Sequence, residues 1–388
     1  MNIAYILNDT PVNGGATKAF VNMLEGLKTY DVKSFVVVPN RQGIYIELKK
    51  QGIPVLATPF RPCTYPYSNT LQQKLFFTPR LAARIIVNGM ATRKLERFLK
   101  ENKIDLVHSN TGVVRIGYDA AKRLGIPHIY HIREFAELIG YHYYPRKSAF
   151  QKQLETCYSI CITKAVEAHY HLTDAKRMNR VVYDGVFNTI HTKPTSLNKG
   201  YFLYAGRIQP VKGLDLLLEA YKNYKEHVVE VLPLKVAGSN DDIAYYNQQI
   251  RYVKKNGLLD HVHFLGDRND IATLMRDARA LIIPSRSEGF GFCMPEAMFQ
   301  GCLAIGRNIA GTKEQFDNGL RVTGKEIGLR YETTEELASL LAEVSSRPAD
   351  YYRPYTERAF NVVNQLYTQE SNAQQVYTFY QDILKENK

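Results

Sequence analysis

A chain of 388 residues with 45% hydrophobic content is long enough for two domains of ordinary size, each with a full core. No stretch approaches the roughly 18 to 20 apolar residues of a spanning helix, and "MNIAYILND" (1–9) lacks the charged n-region and apolar run of a signal peptide, so a cytoplasmic protein is expected. The net charge of +12 leaves three classes of partner open: nucleic acid, an anionic membrane surface, or an acidic ligand.

In chain order, "IAYIL" (3–7) predicts a first strand, followed by the loop "NDTPVNGG" (8–15) and a helix from about Ala16. Glycines opening a helix, here Gly14 and Gly15, suit a bound anion, although βα loops also carry glycine for their turns. "SFVVV" (34–38), "IDLVHSN" (104–110), "PHIYHI" (127–132), "SICIT" (159–163) and "RVVYDGV" (180–186) predict further strands. Strands spaced by helices imply βαβ units and a parallel sheet. Between 61 and 103 lie Arg61, Lys74, Arg80, Arg84, Arg93, Lys94, Arg97, Lys100 and Lys103, against only Glu96 and Glu101. They interleave with Leu75, Phe76, Phe77, Leu81, Ile85, Ile86, Leu95 and Phe98. That pattern predicts a basic amphipathic helix lying on a membrane; the alternative is a solvated basic face.

"FNTIHTKPTSLNKG" (187–200) is polar and aperiodic and reads as a linker. The strand pattern then restarts with "YFLYAG" (201–206), "PLKVAGS" (233–239), "HVHFLG" (261–266), "ALIIPS" (280–285) and "CLAIG" (302–306). Two Rossmann-like α/β domains in tandem are expected: 1–187, a linker at 188–200, and 201–355. A helical tail, 356–388, is expected to cross back to the first domain. Ligands of open parallel sheets bind beyond the carboxyl ends of the strands, so two facing domains would enclose a deep cleft. The five cysteines, Cys63, Cys157, Cys161, Cys293 and Cys302, fit no zinc or redox spacing and read as reduced thiols.

Four elements fall at expected strand ends. The glycine loop ending at Gly15 is the first. In "YAGRIQPVKG" (204–213), Arg207 follows its strand and Lys212 precedes Gly213 and a helix. Arginine grips two oxygens and lysine acts as a point charge, so the two suit a pyrophosphate, the alternative being a solvated pair. In "HIREF" (131–135), His131 could bond a sugar hydroxyl or move a proton, although a lone histidine is more often structural. In "SEGFGFCMPEAMFQG" (287–301), Glu288 lies on a strand-to-helix loop and Glu296 in the first turn of the helix. A carboxylate accepts from the paired hydroxyls of a ribose or hexose. Gly289, Phe290 and Gly291 between them would offer backbone N–H groups to phosphate. Together these describe a nucleotide-sugar site.

"EGFGFCMPE" resembles the Glu-x7-Glu signature of glycosyltransferase family 4, whose members have the GT-B fold of two Rossmann-like domains. "NGGATKAF", "HIREF", "VVYDGVF", "AGRIQPVKG" and "AGTKEQFDNG" with "IGLRY" are similar to further motifs of that family, so the resemblance covers most of the chain. It implies that Arg207 and Lys212 hold the donor diphosphate and that Glu296 binds the ribose. It also implies that Glu288 contacts the donor sugar, with His131 near the reacting sugar. "GFGFC" departs from the commoner small aliphatics, and "GCLAIG" lacks a usual proline; both changes bear on donor choice.

The expected function is a retaining hexosyl transfer from a nucleotide-diphosphate sugar, UDP-linked by preference. The acceptor would be a glycan or a polyprenyl-diphosphate-linked oligosaccharide, as in capsule or exopolysaccharide synthesis. No Asp-x-Asp motif is present, and neither "HYH" (169–171) nor "HVH" (261–263) has trustworthy ligand spacing, so no metal cofactor is expected. Peripheral attachment to the inner face of the plasma membrane is expected and nucleic acid is not. A decayed non-catalytic scaffold, a sugar-nucleotide epimerase and a nucleic-acid-binding protein are the alternatives.

Overall fold

The computed structural model describes every residue except 12–13, 67–69, 174–176, 195–199, 349 and 388. It divides into one unit of Met1–Gly185 with Gln369–Lys388 and a second of Val186–Thr368. The strands of the first unit are β1 (Asn2–Ile6), β2 (Lys33–Val38), β3 (Val55–Ala57), β4 (Thr64–Pro66), β5 (Leu106–Ser109), β6 (His128–Ile132), β7 (Tyr141–Tyr143), β8 (Tyr158–Cys161) and β9 (Asn179–Val181). Seven of them form one sheet in the order β3-β2-β1-β5-β6-β8-β9. Every pairing in it is parallel.

A parallel sheet is covered on both faces, so its strands are apolar at successive positions rather than alternately. β1 shows how this works. Ile3 and Tyr5 pack on one face with Phe20 and Met23 of the helix Gly15–Leu27. Ala4 and Ile6 pack on the other with Leu95 and Leu99 of the helix Phe77–Glu101. The final helix, Gln369–Glu386, adds Ala373, Val376, Phe379, Tyr380 and Ile383 to the first of these faces. Tyr377 on that helix stacks on Tyr30 at 4.4 Å between ring centroids.

The basic segment 61–103 is not one amphipathic helix. It holds β4, the short helix Leu71–Leu75 and the long helix Phe77–Glu101. Leu95 is fully buried, and Phe98 lies edge-on to Phe35, so both belong to the core. Leu71, Leu75, Phe76, Ile85, Ile86 and Met90 are exposed. Among the described residues, no helix is long and apolar enough to cross a membrane.

The second unit carries β10 (Phe202–Ala205), β11 (Leu234–Ala237), β12 (Val262–Gly266), β13 (Ala280–Ile283), β14 (Ala304–Arg307) and β15 (Leu329–Tyr331). They form a parallel sheet in the order β12-β11-β10-β13-β14-β15. From β10 the chain winds outward through β11 and β12, then returns to start β13 on the other side. The topological switch point therefore lies between β10 and β13, and both strands end on the same edge. Phe202, Tyr204, Leu217, Tyr221, Ile282 and Leu341 are part of the core beneath it. Within this unit Phe187 bridges Thr368, and Ile190 N–H donates to Asn364 Oδ1 at 2.8 Å.

Candidate active site

Three loops at the carboxyl edge of the second sheet converge beside the switch point. β10 runs into Gly206 and Arg207, then a turn of 3-10 helix at Pro210–Lys212, then the helix Leu214–Glu226. Gly213 makes that passage with φ +69°, and a Cβ there would lie 2.0 Å from the carbonyl oxygen of Pro284. Only glycine admits both the left-handed backbone and this close approach. The loop after β10 is thereby pressed against the loop after β13.

The second loop carries the charges that meet the first. Lys212 Nζ lies 2.6 Å from Glu288 Oε1, and Ser285 Oγ donates to the same oxygen at 2.8 Å. Glu288 is only 6% exposed. Burial opposes a charged Lys212, but the facing Glu288 outweighs it and holds the ammonium above the usual lysine range. Burial pushes the Cys293 thiol, at the start of the next helix, up to about 12, with the Glu288 charge adding to it. That keeps it a thiol at neutral pH.

The backbone of the second loop is held from the third, which follows β14. Gly311 N–H donates to Glu288 O at 3.0 Å, and Gln315 Nε2 donates to Phe290 O at 2.5 Å. Phe290 is buried and lies edge-on to Tyr367. Gly289 is half-buried, and Gly291 takes φ +84° with its open side toward the Glu288 carboxyl. The loop then enters the helix Cys293–Phe299, whose first turn holds the half-buried Glu296. Arg207 is exposed and has no ion-pair partner among the described residues. The structure thus puts Lys212 and Glu288 in contact, with Arg207, Gly289, Phe290, Gly291 and Glu296 on the adjoining loops.

Gly15 and His131 belong to the other unit. Gly15 is exposed at the start of its helix; residues 12–13 of the preceding loop lie outside the described residues. His131 is not in a loop beyond its strand. β6 continues through it to Ile132, and its side chain is fully buried. Arg133 Nη2 donates to His131 Nδ1 at 3.2 Å, and His108 Nε2 lies 3.1 Å from the same nitrogen. A guanidinium can only donate, so that nitrogen carries no proton and His108 must also donate to it. His108 Nδ1 then accepts from Tyr380 Oη at 2.5 Å. Burial, reinforced by Arg133, drives both imidazoles well below their usual range, so they are neutral. Arg133 is itself paired with the buried Asp184 and bonded to Asn110. Glu134, next along the chain, is pushed up to about 7 by burial.

Sequence reasoning had no signal for Ser285, Arg286 or Asp215, which brace the Lys212 and Glu288 loops, nor for His108, Asp184 and Tyr380 around His131. Among the described residues no group of three or more histidine, cysteine or acidic side chains could hold a metal ion. The five cysteines are free.

Two parallel sheets, each with a switch point, define an α/β protein of two nucleotide-binding-type domains. Residues 187–361 match the family model for "Glycosyl transferases group 1". The chain is 26% identical over 338 residues to an Escherichia coli protein, UDP-Gal:alpha-D-GlcNAc-diphosphoundecaprenol alpha-1,3-galactosyltransferase, a match covering 77% of this chain and 81% of that one. It is 28% identical over 231 residues to an uncharacterized glycosyltransferase of Methanocaldococcus jannaschii, covering 56% of this chain and 60% of that one. Among solved structures, Anabaena HepE in complex with UDP is similar with a TM-score of 0.76 at 18% identity, covering 98% of this chain and all of that one. The fold is that of the GT-B glycosyltransferases. Residues 187–361 thus carry a glycosyl transferases group 1 domain, that of family 4.

Proposed function

We propose that this enzyme moves a hexosyl group from a UDP-linked sugar to a glycan or lipid-linked oligosaccharide acceptor, with retention of configuration. The observation that carries the donor assignment is the meeting of Lys212 and Glu288 at the β10–β13 switch point, with Arg207 free of ion pairs beside it among the described residues. In this reading Arg207 and Lys212 take the diphosphate, Glu296 the ribose and Glu288 the transferred sugar. Gly289, Phe290 and Gly291 bring backbone toward the phosphates. Gly15 and His131 are the candidate site residues of the first unit.

The Escherichia coli relative names a UDP-sugar donor and a diphosphoundecaprenol-linked acceptor, and HepE was solved with UDP. Both support UDP here, and the first supports a lipid-linked acceptor and a role in cell-surface polysaccharide synthesis. The exposed apolar residues on the helices between 71 and 101 stand among Lys74, Arg80, Arg93 and Arg97. That mixture suits peripheral attachment to an anionic bilayer. Transfer, rather than epimerisation, scaffolding or nucleic-acid binding, agrees with the family.

A thermal-shift panel of UDP, GDP, ADP and dTDP sugars tests the donor. A ligand at 100 times its Kd stabilises by about 2.7 kcal/mol, so the correct base stands out; preference for another base overturns the UDP assignment. The proposed retention of configuration is supported by the placing of the charges. Glu288 lies with the donor groups, where it would steady positive charge at the anomeric carbon. The acceptor hydroxyl then attacks from the leaving-group face and gives its proton to the departing diphosphate. Arg207 and Lys212 offset the charge on that diphosphate. The anomeric coupling constant of the product, from a reaction run in EDTA, is expected to match the donor's configuration. An inverted product, or loss of activity in chelator, overturns this route.

A further inference from the structure

Lys212 and Glu288 stand on different loops, and their 2.6 Å contact depends on how those loops are joined. The join has a definite construction. Arg286, two residues before Glu288, donates its backbone N–H to Val211 O at 2.8 Å. Its guanidinium donates through Nη1 to Pro210 O at 2.8 Å and Asp215 Oδ1 at 2.7 Å, and through Nη2 to Asp215 Oδ2 at 2.6 Å. Asp215 in turn belongs to the first turn of the helix that follows Lys212. Tyr245, from the helix Ile243–Lys255, donates to Asp215 Oδ1 at 2.6 Å and accepts the Asp215 N–H at 3.1 Å. One arginine therefore grips the Lys212 loop on both sides of that lysine, at 210–211 and at 215.

We propose that Arg286, Asp215 and Tyr245 form a clamp that fixes the distance between Lys212 and Glu288, and so the register of the donor's diphosphate against its sugar. They are positioning residues. The fork of the guanidinium matches the carboxylate through two bonds and reaches the Pro210 carbonyl as well, a geometry an ammonium cannot reproduce. The pair is held by direction rather than by charge alone. Asp215 is kept ionised below the usual carboxylate range: burial opposes this, but its bonds from Arg286 and Tyr245 prevail. The close approach of Gly213 to Pro284 supplies a second, steric contact between the same loops. With the clamp released, that contact alone would leave the side chains of Lys212 and Glu288 free to separate.

The inference about catalysis rests on the reading that Lys212 and Glu288 serve the donor; the inference about the clamp does not. The first arm of the test therefore uses no donor. Lys212 in the ligand-free protein is acylated with an amine-directed reagent and its rate is read by mass spectrometry. Separation from Glu288 lowers the lysine pKa, and each unit of fall gives about ten times more free amine. R286A is expected to raise the Lys212 rate roughly threefold or more, with the other lysines as internal references, and R286K to fall between it and wild type. If R286A does not fold, R286K and D215N decide. Wild-type Lys212 acylation in the folded variants overturns the clamp. The second arm is steady-state transfer with the donor selected by thermal shift. Loss of register is expected to lower kcat about tenfold, with a smaller change in donor KM and partial recovery in R286K. Raised acylation with unchanged kinetics overturns the positioning role while the clamp itself stands. It would also count against Lys212 as a donor group.

Discussion

Any diphosphate that reaches Lys212 meets a lysine already neutralised by Glu288, so binding must exchange one anion for another. The exchange is feasible because Glu288 keeps a second bond, from Ser285 Oγ at 2.8 Å, when the ammonium turns away. Arg207, exposed and without an ion-pair partner among the described residues, has nothing to give up. The two cations should therefore respond differently to removal. Arg207→Ala and Lys212→Ala are each expected to lower turnover roughly a hundredfold or more, as loss of a charge-stabilising donor does. Only Lys212→Ala also strands a buried carboxylate, which is costly, so it alone should lower the melting temperature. Adding Glu288→Gln to it should restore stability without restoring turnover. Wild-type turnover in both single variants would remove the donor assignment. Lys212 and Glu288 were legible in the sequence because strand-end positions are, and the switch point brings such ends together. Arg286 and Asp215, 71 residues apart, carry no local signature of their bond. The full burial of His131 and its contact with His108 were not legible for a related reason: the two histidines stand on neighbouring strands, 23 residues apart.

The helix Phe77–Glu101 behaves as two elements in series. Toward its end Ala91, Leu95 and Leu99 are buried, and toward its start Ile85, Ile86 and Met90 face solvent. In sequence both halves show basic residues among apolar ones, so periodicity alone could not separate a core stripe from an exposed one. The halves make opposite predictions. Leu95→Ala should cost about 2–5 kcal/mol, the range for a buried leucine, and leave liposome binding unchanged in protein that remains folded. Ile86→Ser with Met90→Ser should change stability little, as surface substitutions do, but reduce co-sedimentation with anionic liposomes. Salt should weaken wild-type binding because exposed charges are screened. Equal binding to neutral liposomes, or none to either kind, removes the electrostatic anchor. The same limit of periodicity explains which strands were legible. "SFVVV" and "ALIIPS" stand out as continuous apolar runs because the sheets bury both their faces. β3 and β15, edge strands of three residues each, and the β4–β7 pair, "TYP" against "YHY", are too short to stand out.

At the scale of the whole chain, the first unit is built from both ends of the sequence. Its sheet is complete by Val181, yet part of the cover on one face comes from Gln369–Glu386, after the whole second unit has been made. The lock includes a polar contact, Tyr380 Oη to His108 Nδ1, which fixes the imidazole pair beneath Arg133. A helical tail returning to the first domain was an expectation from its place in the chain; which side chains it would bury was not legible, because their partners lie some hundreds of residues away. Removing 369–388 should therefore strike the first unit and spare the second. Val376, Phe379, Tyr380 and Ile383 are each buried, and burial of such side chains contributes roughly 1.5–3 kcal/mol apiece. Their sum, about 6–12 kcal/mol, is comparable with the whole stability of a typical domain, about 5–15 kcal/mol. Truncation after Thr368 is expected to abolish the calorimetric transition of the first unit and to leave that of the second, whose core includes none of these residues. Hydrogen exchange would locate the loss: fast exchange in β1, β5 and β6, with protection kept in β10, β13 and β14. A truncated protein that still melts in the wild-type manner would show that the first core closes without its final helix.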